Sequence, residues 1–141
     1  GAAWLQGAAI DSTLILCSIP VSAWVAAILL INEVPDAEAD GSCGKNTLPV
    51  RLGLRGTANL YFAIQVVAAG VVTLLAVQGH LPMLAPLVPV GLLVLAWKAA
   101  TGIRGGIENR ETMAQSIEAT LGIHTIGCLW LAGCALFALW F

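Results

Sequence analysis

Two aspartates, Asp36 and Asp40, stand four residues apart in a chain that otherwise contains few charges. On a helix they would share one face, with β-carbons about 6 Å apart, while Glu38 would point elsewhere. Like charges at that distance repel, so the pair requires a cation. Lys45 or Arg51 could supply it, but Mg²⁺ fits better, because this ion takes one or two carboxylates together with phosphate oxygens and water. The spacing therefore predicts a site for a metal ion and a phosphorylated ligand.

The residues around the aspartates predict how the backbone presents them. Positions 41–46, Gly-Ser-Cys-Gly-Lys-Asn, form a predicted turn whose backbone amides and Lys45 ammonium can meet a diphosphate. Pro35 has no amide hydrogen and biases Val34 away from helical geometry, so a helix that arrives here should end or restart. A solvated charged loop is the alternative interpretation of such a cluster.

Composition places this polar stretch beside a membrane. The 141 residues are 59% hydrophobic and 10% charged, with a mean hydropathy of +0.91, so the chain lacks the polar surface of a soluble domain. Its four apolar runs are about as long as the roughly 20 residues that cross a bilayer as a helix. We therefore predict one all-α domain over residues 1–141, a polytopic membrane helical bundle. Its predicted parts are spans at 14–34, 58–79, 81–100 and 119–141, a motif loop at 35–57 and a second loop at 101–118.

The basic residues all belong to one side of this topology: Lys45, Arg51, Arg55, Lys98, Arg104 and Arg110. The opposite side, residues 1–12 and 78–82, contains neither Lys nor Arg. By the positive-inside rule, the basic side faces the cytoplasm together with the aspartates.

Residues 32–40, Asn-Glu-Val-Pro-Asp-Ala-Glu-Ala-Asp, and residues 44–53, Gly-Lys-Asn-Thr-Leu-Pro-Val-Arg-Leu-Gly, resemble the second aspartate-rich motif of the UbiA superfamily of intramembrane prenyltransferases. The family pattern is an Asn-rich start, Asp-x-x-x-Asp, a Gly-Lys pair and a Thr-Leu-x-Val-Arg-Leu-Gly exit. The chain is most similar to the MenA-like members, which use 1,4-dihydroxy-2-naphthoate. It departs from them at Glu33, where a second Asn is common, and at Pro49.

The resemblance implies Mg²⁺-dependent transfer of a polyprenyl group from its diphosphate to an aromatic acceptor, as in menaquinone biosynthesis. Asp36 and Asp40 would bind the metal, and Lys45 would neutralise charge on the departing diphosphate, so these three residues would be catalytic. Substrate contacts would come from Asn32, Glu33, Lys45 and Arg51. For Arg51, anchoring at the membrane interface is an equal alternative.

The resemblance also implies that part of the protein is absent from this chain. The four spans look like the C-terminal portion of a nine-helix fold, and the family's first aspartate-rich motif is missing. We therefore expect a missing N-terminal half of the same protein to complete the site, and the chain alone to be inactive. The expected partners are a polyprenyl diphosphate, an aromatic acceptor and the lipid bilayer of a prokaryotic inner membrane, and no nucleic acid.

Several alternatives stay open at this point. Homogentisate, 4-hydroxybenzoate or a chlorophyllide are other acceptors, because related motifs serve all of them. A cation-coupled membrane transporter is the alternative of another class, since such proteins use acidic residues at broken helices. His124, inside the last span, is predicted to hydrogen bond to another helix rather than to take part in chemistry. Loop 101–118 is predicted to be solvated with a short interfacial helix, and capping of the active site is its alternative role.

Overall fold

The computed structural model describes Gly7, residues 11–106 and residues 109–140, with the backbone alone for 139 and 140. Within these residues the chain forms five helices: α1 (Ser12–Asn32), α2 (Ala37–Ser42), α3 (Leu48–Val77), α4 (Leu87–Gly105) and α5 (Arg110–Trp140). The four longer helices are long and apolar enough to cross a membrane. The prediction of an all-α bundle with four spans is therefore confirmed.

The predicted motif loop at 35–57 is more helical than expected. It contains α2 and the first turns of α3, where Pro49 lies in the first helical turn. Proline is tolerated there because the first amides of a helix have no helical acceptor. Helical geometry is interrupted at Gly53, where φ is 65° and ψ is 172°. A short helical piece therefore precedes the membrane span of α3.

The third span begins later than the sequence predicts, at Leu87 instead of residue 81. The intervening residues form turns, in which the Ala85 amide donates to the Pro82 carbonyl oxygen at 2.8 Å. Pro82 and Pro86 account for the delay, since each proline disfavours helical geometry in the residue before it.

The second predicted loop, 101–118, is also largely helical. Helix α4 continues through Gly105 and α5 begins at Arg110, because Met113 and Ser116 are buried against the bundle instead of being solvated. The prediction of a solvated loop with a short interfacial helix was therefore wrong for these residues. Residues 107 and 108 of this loop, residue 141 of the last predicted span, and residues 1–6 and 8–10 lie outside the described residues.

The four long helices pack in the order α1, α3, α4 and α5, because α1 and α4 each contact both α3 and α5. Neighbouring helices run antiparallel, so Asn59 near the start of the α3 span meets Arg104 near the end of α4. The diagonal pair α3 and α5 is joined by a 2.8 Å hydrogen bond between the Tyr61 hydroxyl and Thr120 Oγ1. Thr120 Oγ1 donates to the Ser116 carbonyl oxygen at 2.8 Å, so Tyr61 is the donor to Thr120.

Small residues allow α1 and α5 to approach closely. The buried Trp24 ring lies against Gly127, and a β-carbon at position 127 would stand only 2.7 Å from the ring carbon Cη2. Close backbone approach at Gly, Ala and Ser is the usual packing device of membrane helices. Together with the Tyr61 bond, this contact holds the bundle in register.

His124 contacts a residue of its own helix, α5. Its Nδ1 lies 3.7 Å from Cys128 Sγ, one turn further along the same helix. Within the part of the chain that the structure describes, His124 forms no hydrogen bond to another helix, so the predicted contact is not found there. At the end of the bundle away from the aspartates, His80 is exposed in a turn.

Candidate functional site

Helix α1 ends immediately before the acidic turn. Its last residue is Asn32, and the Glu33 amide donates to the Leu29 carbonyl oxygen at 3.3 Å. Val34 is buried at 2% exposure and anchors the connection. The chain then passes through Pro35 and resumes as α2. This is the break that the proline predicts.

Helix α2 puts the two aspartates on one turn. The Asp40 amide donates to the Asp36 carbonyl oxygen at 2.8 Å, which is the hydrogen bond of one helical turn. Side chains four residues apart on a helix lie on the same face. Asp36 is the N-cap residue of α2, and Glu38 is exposed on another face of the helix. The predicted pairing of the aspartates is therefore confirmed by the backbone.

The end of α2 brings Lys45 back to Asp40. The Gly44 amide donates to the Gly41 carbonyl oxygen at 3.1 Å, and the Lys45 amide donates to the Asp40 carbonyl oxygen at 2.9 Å. This pair of bonds is the Schellman motif, which requires a left-handed residue after the C-cap. Gly44 supplies it with φ 76°. The cap therefore places the lysine beside the second aspartate.

The side chains of this cap form an ion pair. Lys45 Nζ donates to Asp40 Oδ1 at 2.6 Å, with the lysine side chain 65% exposed and the aspartate side chain 15% exposed. The hydrogen bond and the negative charge of Asp40 raise the pKa of Lys45, and the charge of Asp36 adds a smaller increase. The lysine therefore stays cationic. It is one of the two basic residues that the sequence offered as a cation for the acidic pair, for which we considered Mg²⁺ the better fit.

The other predicted binding residues lie before and after this turn in the chain. Asn32 is exposed at the end of α1, and Glu33 is half-buried next to it. Arg51 is exposed in the first turns of α3 and forms no ion pair within the described part of the chain. Helix α2 lies against the same turns of α3, since a β-carbon at Gly41 would be 3.7 Å from Val50.

A cavity beside the acidic turn involves a helix that the motif does not include. It has a volume of about 360 Å³ and is lined by Pro35, Arg110, Met113, Ala114 and Ile117. The antiparallel packing of α1 and α5 brings Arg110 here, and the buried Met113 contributes to the apolar lining. The sequence predicts Arg110 at the same end of the bundle as the aspartates but carries no signal that it lies beside Pro35.

The acidic pair offers two carboxylates as candidate ligands for a cation. Among the described residues no group of three or more His, Cys, Asp and Glu side chains could hold a metal. Mg²⁺, however, usually keeps several waters and takes one or two carboxylates plus substrate phosphates. Asp36 and Asp40 supply that number of carboxylates, so these two side chains would be the ones to hold such an ion.

Comparisons with known proteins identify the family. A family model described as the UbiA prenyltransferase family matches residues 1–117. The curated 1,4-dihydroxy-2-naphthoate octaprenyltransferase of Haemophilus influenzae is 47% identical over 53 residues, which are 38% of this chain and 17% of that protein. The chain thus spans less than a fifth of that relative's length, and no solved structure matches it. Because the family model covers most of the chain, including the acidic turn and its cap, this chain belongs to the UbiA prenyltransferase family.

Proposed function

We propose that this chain carries one part of the active site of a Mg²⁺-dependent prenyltransferase, which moves a polyprenyl group from its diphosphate to an aromatic acceptor. Family membership supports the reaction class. The observation that carries the metal and diphosphate assignment is the turn in which Asp36 and Asp40 share a face and Lys45 contacts Asp40. A further acidic motif from an N-terminal half outside this chain would complete the site.

The side chains of the turn have separate tasks in this proposal. Mg²⁺ held by Asp36 and Asp40 would act as a Lewis acid on the diphosphate. Lys45 is exposed enough to turn from Asp40 to a phosphate oxygen once the donor binds. Its ammonium then neutralises the negative charge that grows on the diphosphate as the allylic carbon–oxygen bond breaks. A carbon of the acceptor ring forms the new bond to the allylic carbon, and the proton of that ring carbon passes to water as the diphosphate leaves.

The flanking residues are assigned substrate contacts. Asn32 precedes the acidic turn and would orient a carboxylate or the acceptor, and Glu33 would contact the metal or the acceptor. Arg51, in the helical turns against which α2 lies, would meet the diphosphate or anchor the protein at the membrane interface. The basic residues cluster at the aspartate end of the bundle, which supports a cytoplasmic site in a prokaryotic inner membrane.

For the acceptor we propose 1,4-dihydroxy-2-naphthoate, as used in menaquinone biosynthesis. The support is the 47% identity to a 1,4-dihydroxy-2-naphthoate octaprenyltransferase. Homogentisate, 4-hydroxybenzoate and a chlorophyllide are the competing acceptors. The transporter alternative is set aside, because the chain belongs to a prenyltransferase family.

The test follows prenyl transfer by the full-length protein in lipid, from a radiolabelled polyprenyl diphosphate to each of the four acceptors. We expect Mg²⁺-dependent product with 1,4-dihydroxy-2-naphthoate. Asp36→Asn should lose about a hundredfold or more in rate, whereas Glu38→Gln should retain most of it. Both variants remove one carboxylate charge from α2, but only Asp36 lies on the face shared with Asp40.

Three outcomes would contradict parts of this proposal. Equal rates for wild type and Asp36→Asn would reject the metal-binding role. Product with another acceptor alone would reject the naphthoate and keep the transferase. Product from residues 1–141 without any further sequence would reject the need for a second acidic motif.

A further inference from the structure

A second cleft, lined by polar side chains, lies between α3 and α4. It has a volume of about 460 Å³ and is lined by Arg55, Asn59 and Arg104. Arg55 and Asn59 are one helical turn apart and therefore share a face of α3. Arg104 in the last turn of α4 faces them because the two helices run antiparallel. None of these three lining residues is among those assigned to the proposed catalytic site, to which α3 contributes Arg51.

The Arg104 side chain is held in place before any ligand binds. Its Nη2 donates to Asn59 Oδ1 at 3.0 Å, and its guanidinium carbon lies 5.6 Å from the centre of the Trp97 ring. Phe62 packs edge-to-face against Trp97, with the ring centroids 5.4 Å apart. A guanidinium carries five N–H donors, and Asn59 accepts from one of its nitrogens. No other hydrogen bond to this guanidinium is present within the described residues, so its remaining donors can serve a ligand in the cleft.

The cleft carries positive charge that the described residues do not neutralise. The ion pair that they contain joins Lys45 to Asp40, and neither Arg55 nor Arg104 has a carboxylate partner among them. Two guanidinium groups on one cleft repel each other, and an anion between them removes that repulsion. Arginine matches the oxygens of a phosphate by donating two parallel hydrogen bonds.

The surroundings of the cleft indicate where such a phosphate comes from. Trp97 is 50% exposed below Arg104, and the next exposed side chains of α4 away from the cleft are apolar, with Val94 63% exposed. Tryptophan is enriched at the level of lipid headgroups. A ligand with a phosphate in the cleft and a hydrocarbon chain along this surface would contact both the arginines and the exposed apolar side chains of α4. We propose that Arg55, Asn59 and Arg104 form a site for the phosphate group of an anionic phospholipid.

Replacing arginine with lysine distinguishes a site that binds phosphate through two parallel hydrogen bonds from simple anchoring at the membrane interface. Lysine reaches the interface as well as arginine does, but it offers a point charge instead of the planar fork. Arg104→Lys keeps the charge and should nevertheless weaken lipid binding. The neighbouring Lys98 provides a matched control, because it is exposed on the same helix and does not line the cleft.

The experiment measures lipid binding to the detergent-solubilised full-length protein by native mass spectrometry and by the shift of its unfolding temperature. The probes are phosphatidylglycerol, phosphatidylcholine and inorganic phosphate. We expect phosphatidylglycerol to bind and stabilise the protein more than the other two. Arg104→Gln, Arg104→Lys and Arg55→Gln should each weaken that binding about tenfold, the effect of losing one charge-assisted hydrogen bond. Lys98→Gln should change it little.

The outcomes separate the site from its proposed ligand. Equal phosphatidylglycerol binding by wild type and the arginine variants, or an equal loss in Lys98→Gln, would overturn the site. A response to inorganic phosphate as large as that to phosphatidylglycerol would overturn the lipid assignment. If Arg104→Gln fails to fold, Arg104→Lys with its retained charge decides the question.

Discussion

Replacing Gly44 with alanine tests whether the helix cap positions Lys45 for its proposed role. Gly44 has φ 76°, and a β-carbon there would meet nothing within 4 Å. The cost of the substitution therefore comes from the backbone alone. A residue other than glycine in the left-handed conformation costs about 1–2 kcal/mol. A change of that size should raise the population of the opened cap by roughly 5- to 30-fold.

Gly41→Ala is the matched control, because the same methyl group is added three residues earlier. Gly41 lies inside α2, and its β-carbon would be 3.7 Å from Val50 Cγ1, an ordinary contact. Alanine in a helix interior is more stable than glycine by about 0.5–1 kcal/mol. The two substitutions should therefore act in opposite directions on the same cap.

The assay is hydrogen exchange of the Lys45 amide, which donates to the Asp40 carbonyl oxygen, in the full-length protein. Gly44→Ala should lose most of the protection of this amide and slow prenyl transfer, while Gly41→Ala should keep or increase both. If both variants move protection in the same direction, the left-handed glycine is not what closes the cap. If Gly44→Ala loses protection but transfers at the wild-type rate, Lys45 does not need to be held beside Asp40.

Three more predictions concern the bundle and the charge of the cap. Tyr61→Phe should lower the free energy of unfolding in detergent by about 0.6 kcal/mol, and by no more than about 1.7 kcal/mol, which is the range for hydrogen bonds between membrane helices. The loss is small because Thr120 keeps its own hydrogen bond within α5. Gly127→Ala should cost about 1–3 kcal/mol in the same assay, because the methyl group would overlap the Trp24 ring. The pKa of Lys45 is raised above its ordinary value of 10.5, so its ion pair with Asp40 is fully present below pH 10.5. The ion pair is lost as the pH rises through the higher pKa of the folded state. Nitrogen NMR of the Lys45 side chain should therefore show the ammonium form at pH 10.5.

Two of these predictions, those for Gly127 and Lys45, have a control within the chain. Gly122→Ala adds the same methyl group on α5, where nothing lies within 4 Å, and should not destabilise the bundle. A similar loss for Gly122→Ala and Gly127→Ala would mean that the tryptophan contact is not the cause. Asp40→Asn should return the Lys45 titration toward 10.5, since Asp40 is the main cause of the shift. An unchanged titration in Asp40→Asn would contradict the ion pair.

The acidic turn is predictable from the sequence because its determinants are local. Pro35 ends α1, and the four-residue spacing puts Asp36 and Asp40 together as soon as a helix resumes. The contact of Lys45 with Asp40 is only one of the possibilities that the sequence leaves open. Composition does not reveal which basic side chain the cap of α2 brings next to Asp40. The pattern of hydrogen bonds around Gly44 decides this, and it becomes visible only in the structure.

Features that depend on the packing of distant helices are less predictable. The contact of Arg104 with Asn59 depends on how far α3 is shifted along its axis relative to α4. The composition of the two membrane spans does not determine that shift. The helical start of α5 is a different case, since Met113 and Ser116 are buried at helical spacing. The mixed charge of loop 101–118 obscures that periodicity, so the sequence favours a solvated loop.

The cap of α2 also decides where the chain tolerates a change of length. One residue inserted between Asp40 and Gly44 would rotate everything after it by about 100° around the helix axis and carry Lys45 off the acidic face. One residue inserted after Lys45, at the exposed Asn46, would lengthen only a surface turn. The number of residues from Asp36 to Lys45 is therefore fixed by the geometry of the cap. The number of residues from Lys45 to α3 can change without moving Lys45 away from Asp40.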